Sequence, residues 1–100
     1  MTHKEREDRF RALSRIGCIV CLIYYGARSE PHIHHLTGLK YRATGKKADD
    51  THTIPLCPCH HQHGNIHHPS VHGQPAEFES RFGTQEELLS ATNKMIEALA

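Results

Sequence analysis

The sequence predicts a single small α+β domain whose core is too thin to be stable on its own. Of its 100 residues, 37% are hydrophobic and 6% aromatic, and there is no Trp. A domain of this size buries only about two-thirds of its unfolded surface. Such folds usually need a disulfide, a metal ion or a partner subunit. Four cysteines and eleven histidines favour a metal, because zinc prefers thiolate and imidazole ligands.

Helical periodicity marks both ends of the chain. Residues 3–16 carry apolar side chains at roughly helical spacing among charges, and residues 75–83 predict a short helix that begins at a proline. Thr84 and Glu87 form a capping box for a final helix. An apolar stripe follows on one face of that helix, formed by Leu88, Thr92, Met95, Ile96 and Leu99.

Short β-like segments lie between these helices. "CIVCLIYYG", residues 18–26, predicts a tight turn closed by a β-like run. "PHIHHLTG", residues 31–38, and "HTIPLC", residues 52–57, each predict a short strand. The polar residues 38–51 predict a loop. A short helix is expected to begin within "CHHQHGNIHH", residues 59–68. From its length, the chain is predicted to form one domain over residues 1–100.

The charge pattern and the absence of long apolar runs limit the function classes. No run approaches the roughly 20 apolar residues of a membrane span, and the charged start lacks the apolar region of a signal peptide. We therefore expect a cytoplasmic protein with no membrane partner, in which paired cysteines bind metal more often than they form disulfides. The net charge of +1 neither supports nor excludes a nucleic-acid partner.

The cysteines predict a closed zinc site. Cys18 and Cys21 form a C-x₂-C pair, whose gap lets both sulfur atoms face one ion about 2.3 Å away. Cys57 and His60 have the same gap in "LCPCHH". We expect these four residues to hold a structural zinc, with Cys59 as the alternative fourth ligand. A redox C-x-x-C is the other interpretation, but that motif normally opens a helix in a larger βαβ fold.

The histidine pair on the first predicted strand suits hydrolysis. Neighbouring side chains on a strand face opposite sides, so one imidazole of His34-His35 can bind a metal while the other faces a substrate or the core. A bend at the Thr37-Gly38 turn could bring both to one cleft. One histidine would then hold a divalent ion while its neutral neighbour takes a proton from water. For any single histidine, a polar surface role is the alternative.

The order of these motifs resembles that of the HNH nucleases, whose ββα-metal core is two antiparallel strands and a helix around one catalytic ion. His34-His35 matches the family's strand pair, His52 the central residue five positions before the Cys57 knuckle, and His61 the helix residue. "IPLC..HH", "GN.HH" and "FESRFG" are most similar to the RecA-dependent nucleases of the phage recombination-enhancement type. The resemblance covers about residues 18–90, the core of the domain.

The resemblance implies a role for each matching residue. His35 would be the general base, and His52 would orient or assist it or contact the scissile phosphate. A catalytic Mg²⁺ or other divalent ion would be held by His34, His61 and His68. His67 would supply a further ligand or, with His72, hold a second zinc. Lys46 or Lys47 would contact the DNA backbone.

The sequence thus predicts a metal-dependent DNA endonuclease of a phage or prophage that acts in the bacterial cytosol. Its expected partner is DNA, and a recombinase filament is a candidate second partner. Two alternatives stay open. One is a non-catalytic zinc-ribbon module that binds nucleic acid or protein, with the histidines as zinc ligands or surface residues. The other is a histidine-rich metal-storage domain.

Overall fold

The computed structural model describes residues 1–38 and 49–99 and confirms a small mixed α+β domain. The elements in chain order are α1 (His3–Ile16), α2 (Ile19–Tyr25), β1 (His32–His35), β2 (Thr53–Leu56), α3 (Pro58–His61), α4 (Pro75–Phe82) and α5 (Gln85–Leu99). The predicted helices at both ends and the two predicted strands are confirmed. Lys46 and Lys47 lie outside the described residues.

Helix α1 has well-defined ends. At its start the Thr2 hydroxyl accepts the Glu5 backbone N–H, and the Glu5 carboxylate accepts the Thr2 N–H, which satisfies two helix-end donors. At its end the N–H of Gly17 donates to the carbonyl of Leu13. Gly17 has a φ of 76°, and a Cβ there would lie 2.8 Å from the Ser29 carbonyl oxygen. Only glycine fits this turn.

The expectation of a β-like run after Cys18 is wrong, because residues 19–25 form helix α2. The Cys18 sulfur accepts the backbone N–H of Cys21, so the cysteine acts as the N-cap. Gly26, with a φ of 61°, ends the helix in the left-handed conformation. The apolar residues Ile19 and Val20 in its first turn are buried in the core.

The two strands form an antiparallel ribbon at the centre of the molecule. In its register His34 pairs with Ile54 and His35 with Thr53. All four residues of β2 are buried. Arg9 of α1 clamps the ribbon, because its guanidinium donates to the Thr53 hydroxyl at 2.9 Å and to the Thr53 carbonyl at 2.7 Å.

Helices α1, α2 and α5 pack against the ribbon and close the core. Its largest fully buried side chains include Phe78, Leu13, Ile19, Leu36, Ile54 and Leu56. Helix α5 begins at the predicted capping box, in which Thr84 and Glu87 exchange two hydrogen bonds. Within the described ranges, no helix has both the length and the apolar character needed to cross a membrane.

Candidate metal centres

Two helix starts bring three sulfur atoms and one imidazole to a common point. Cys18 and Cys57 are the N-caps of α2 and α3, and Cys21 and His60 lie one turn further along the same helices. The C-x₂-C and C-x₂-H gaps therefore place both ligands of each half-site on one face of a first helical turn. The four ligand atoms all lie within 4.8 Å of one another.

The spacing of these atoms matches tetrahedral coordination. Ligands at ordinary zinc distances would have sulfur atoms about 3.8 Å apart and sulfur and nitrogen about 3.5 Å apart. The Cys21 and Cys57 sulfur atoms are 3.9 Å apart. The Nδ1 atom of His60 is 3.6 Å from the sulfur of Cys18, 3.6 Å from that of Cys21 and 3.2 Å from that of Cys57. The group can hold a metal ion with little rearrangement.

Burial disfavours the charged form of Cys18, because it is the main cause that raises the pKa of this thiol to about 12. Burial also lowers the pKa of His60, which keeps the imidazole neutral and its nitrogen available. A bound cation would offset the cost of the Cys18 thiolate, which would couple metal binding to folding. Cys59, the alternative ligand, is exposed and belongs to neither metal-binding group among the described residues.

A second group consists of three imidazoles and contains no sulfur. His34 of β1, His61 at the end of α3 and His72 in the following loop offer nitrogen atoms within 4.8 Å of one another. Backbone hydrogen bonds return the loop to α3: Val71 N–H donates to the His60 carbonyl at 2.8 Å, and His72 N–H to the His61 carbonyl at 3.2 Å.

The tautomer of His34 is fixed by a glutamine. The Gln85 side-chain oxygen accepts the backbone N–H of Thr37 at 3.0 Å, and its amide nitrogen donates to the Thr37 hydroxyl at 3.0 Å. This oxygen also lies 2.8 Å from Nε2 of His34, which must therefore donate a proton. The lone pair of the neutral ring is then on Nδ1, the arrangement that a ligating histidine with an outer hydrogen-bond partner requires.

His61 connects two further histidines. Its Nε2 lies 3.2 Å from Nε2 of His72, and its Nδ1 lies 3.1 Å from Nδ1 of His32. If His61 donates its Nδ1 proton to His32, its Nε2 lone pair faces His72. Nitrogen ligands of one ion lie about 3.0–3.4 Å apart in octahedral or tetrahedral geometry. The separation of the two Nε2 atoms fits a shared cation.

Burial favours the neutral form of two of these imidazoles, His34 and His61. Burial first, and the neighbouring histidines second, lower the pKa of His61 to about 4. Burial likewise lowers the pKa of His34 to about 4, with smaller contributions from charges on His72 and His35. Neutral imidazoles repel a metal ion less and offer it lone pairs.

The other residues predicted from the sequence lie around these groups. His35 contacts a carboxylate, with its Nε2 2.8 Å from Asp50 Oδ1. The backbone carbonyl of His52 accepts the Leu36 N–H at 3.0 Å. The Nδ1 atom of the His52 ring lies 3.3 Å from the Asp49 carboxylate. Neither His35 nor His52 belongs to a metal-binding group among the described residues.

His67 and His68 do not join the imidazole group in the part of the chain that the structure describes. Both are exposed, and their backbone N–H groups donate to the Asn65 side chain at 2.8 and 3.0 Å. His72, predicted to take part in a second zinc site, stands where His68 was expected. The sequence did not predict that Gln85 contacts His34 or that Asp50 contacts His35. A glutamine one residue after a helix cap carries no signal that it contacts a distant strand.

The comparisons with known proteins identify a family. No match to a curated protein was found. The family model described as "Recombination enhancement, RecA-dependent nuclease" matches residues 2–97, nearly the whole chain. The chain therefore belongs to the family of recombination-enhancement, RecA-dependent nucleases.

Proposed function

We propose that the protein is an HNH-type endonuclease that hydrolyses DNA phosphodiester bonds with one divalent ion held by His34, His61 and His72. The observation that supports this most strongly is the presence of two chemically different groups of metal ligands. One group is closed and rich in sulfur. The other consists of imidazoles and is partly open to solvent. Family membership supports the nuclease activity itself.

The closed group is proposed to be a structural zinc site. Three thiolates and one imidazole complete a tetrahedron, which leaves no position for a substrate. Three of the four residues are buried, and Cys21 is half-buried. Zinc is the ion that this donor set and geometry favour.

The imidazole group is proposed to be the catalytic site because it is incomplete. Three protein ligands leave at least one coordination position for water or a phosphate oxygen, as in catalytic metal sites. His34 is buried, His61 half-buried and His72 exposed, so the group opens toward solvent on the His72 side. A substrate can therefore approach from that side.

The arrangement of strands and helix supports an HNH-type core. The antiparallel strands β1 and β2 precede helix α3, which contacts both strands. β1 contributes His34 and α3 contributes His61, so a strand and the following helix supply ligands to one point. This order of elements is what the ββα-metal arrangement requires.

In the proposed reaction the ion, when bound, would polarise a phosphoryl oxygen and stabilise negative charge on the leaving oxygen. Gln85 keeps the Nε2 atom of His34 protonated, so that Nδ1 is available as a ligand. His35 would take the proton of the attacking water, and His52 would assist it or contact the phosphate. Both roles are proposed because His35 lies on β1, the strand that carries His34, and His52 pairs with Leu36 at the end of that strand.

The donor set bears on the identity of the catalytic ion. Mg²⁺ prefers oxygen ligands, whereas imidazole suits zinc and the neighbouring transition metals. A site of three imidazoles should therefore bind Mn²⁺, Co²⁺, Ni²⁺ or Zn²⁺ more tightly than Mg²⁺. We propose that a transition-metal ion supports activity at lower concentration than Mg²⁺ does.

DNA and a RecA filament are the proposed partners. The family description names a RecA-dependent nuclease. We propose that the chain cuts DNA within or beside a recombinase filament during recombination, in the cytosol of a bacterium that carries the phage or prophage. The single-strand or double-strand preference is part of the same test.

Cleavage assays test this proposal directly. Protein with its closed site filled by zinc is incubated with linear duplex, circular duplex and single-stranded DNA, each with and without a RecA filament, while Mg²⁺ or Mn²⁺ is titrated. We expect divalent-dependent cleavage that His35→Ala and His72→Ala each reduce at least 100-fold. His63→Ala, which alters an exposed histidine outside both groups, is the matched control. DNA binding without cleavage by the wild-type protein under all conditions would favour the zinc-ribbon module instead.

A further inference from the structure

The imidazole of His35 is held by a carboxylate from the segment that leads into β2. Nε2 of His35 lies 2.8 Å from Oδ1 of Asp50. Both side chains are shielded, with exposed fractions of 18% for His35 and 29% for Asp50. A hydrogen bond at this depth holds its geometry better than one on the open surface.

Asp50 is itself fixed by the clamp that joins α1 to β2. The Thr53 hydroxyl donates to the Asp50 carbonyl at 2.9 Å. The same hydroxyl accepts from Arg9 Nε at 2.9 Å. The second carboxylate oxygen of Asp50 lies 3.9 Å from the guanidinium of Arg6. Arg9 thus holds the backbone of Asp50 through Thr53, and Arg6 adds a longer-range attraction to the carboxylate that contacts His35.

A carboxylate in this place determines which nitrogen of His35 carries the proton. An ionised carboxylate only accepts hydrogen bonds, so Nε2 must be the protonated nitrogen of a neutral ring. Nδ1 then carries the lone pair, which is the atom a general base needs. Without Asp50 both tautomers are accessible, and the ring can rotate about χ2 away from the water that it should deprotonate.

We infer that Asp50 is a positioning residue for the nuclease reaction, which fixes the tautomer and the ring orientation of His35. The inference rests on the proposed function, in which His35 is the general base. It assigns Arg9 and Thr53 an indirect part, because they hold the backbone that carries Asp50. It also gives a role to Asp50, which lies three residues before the start of β2.

Two single variants, their double mutant and one control variant test this inference by kinetics. Single-turnover cleavage and DNA affinity are measured for Asp50→Ala, His35→Ala and the combination, with Asp8→Ala as the control that removes an exposed carboxylate of α1. We expect Asp50→Ala to lower the cleavage rate about 10- to 1,000-fold while DNA affinity and metal affinity change less than twofold. In the His35→Ala background, removal of Asp50 should slow cleavage no further, because residues that act as one unit are not additive. Asp8→Ala should cleave like wild type.

Nitrogen NMR supplies a readout that a merely structural role would not change. The His35 ring nitrogens, assigned by their loss in His35→Ala, should show an Nε2-protonated ring in wild type and a mixture of tautomers in Asp50→Ala. Asp50→Asn, which keeps the size of the side chain, replaces the alanine variant if the latter does not fold. It should lower the rate at least tenfold, because an amide can donate to Nε2 as well as accept from it.

The possible failures are distinguishable. A wild-type rate and tautomer in Asp50→Asn or Asp50→Ala, combined with an inactive His35→Ala, would overturn the role of Asp50 and leave the proposed function standing. A fully active His35→Ala would remove the general base from the proposed function, and the role of Asp50 with it. A further loss of rate on adding Asp50→Ala to His35→Ala would show that Asp50 acts through another group.

Discussion

Replacement of Cys21 by serine should destabilise the fold far more than the same replacement at Cys59. Cys21 and Cys59 are the two cysteines that are not buried, and each lies in the first turn of a short helix. Cys21 contributes its sulfur to the closed group, whereas Cys59 is exposed and outside it among the described residues. Both replacements remove a thiol, so the pair separates membership of the sulfur-rich group from the loss of a thiol; Cys21 is also the more buried of the two.

The expected magnitude follows from the fit of the ligand atoms. The Cys21–Cys57 sulfur separation and the three separations from His60 Nδ1 lie within a few tenths of an ångström of tetrahedral values, so little of the binding free energy is lost to rearrangement. Structural zinc sites contribute about 10–16 kcal/mol, or about 2.5–4 kcal/mol for each of four ligands. A domain of this size has a total stability of only about 5–15 kcal/mol. With about 4–8 °C per kcal/mol, Cys21→Ser should lower the Tm by about 10–32 °C.

Thermal unfolding of the zinc-loaded proteins, followed by circular dichroism under reducing conditions, measures this shift. A metal indicator in the same samples should show zinc release at a lower chelator concentration for Cys21→Ser than for wild type. Cys59→Ser should unfold within about 2 °C of wild type, as expected for an exposed position. Equal destabilisation by the two variants would refute the assignment of the closed site.

Three further predictions concern the imidazole group and its loop. His72→Ala should weaken Mn²⁺ binding at the open site at least tenfold, measured by calorimetry, whereas His68→Ala should leave it unchanged; the reverse result would restore the ligand set predicted from sequence. Burial holds the pKa of His34 at about 4, below its ordinary 6.5. Protein free of metal at the open site should therefore lose stability as the pH falls from about 6.5 to about 4, because the unfolded chain takes up the proton first; urea titrations should show a shallower loss for His34→Gln. Gly64→Ala should destabilise by about 1–3 kcal/mol in the same urea titrations, because a Cβ there would overlap the backbone of the returning loop.

Local spacing was sufficient to predict which four residues form the sulfur-rich group, and to predict the ends of the outer helices. A C-x₂-C gap, a capping box and a glycine stop each involve residues within one helical turn, so their geometry depends on few backbone angles. The four ligands predicted from the two half-sites lie together in the structure. The meeting of the half-sites follows because α2 and α3 both pack near β2.

The helix at residues 19–25 could not be predicted from propensity. Its sequence is rich in β-branched and aromatic residues, which favour strands. The Cys18 cap and the left-handed Gly26 override that preference by defining both helix ends, and core contacts of Ile19 and Val20 add burial. Because a metal knuckle at a helix start and one at a β-turn share the same C-x₂-C spacing, the motif alone does not distinguish them.

The choice between His68 and His72 depended on the path of a loop, which residue spacing does not contain. The sequence resemblance places His68 at the catalytic ion and His72 in a second zinc site, and residue spacing does not show which of the two reaches back to α3. The structure separates them with backbone hydrogen bonds: the Asn65 side chain accepts the N–H of His68, whereas the N–H of His72 donates to the carbonyl of His61 itself. Arg81 of α4 anchors the outer part of the loop through the carbonyl of His67 at 2.6 Å. Main-chain pairing thus brings the His72 imidazole to His34 and His61, and Arg81→Ala should loosen the loop without removing any of these three imidazoles.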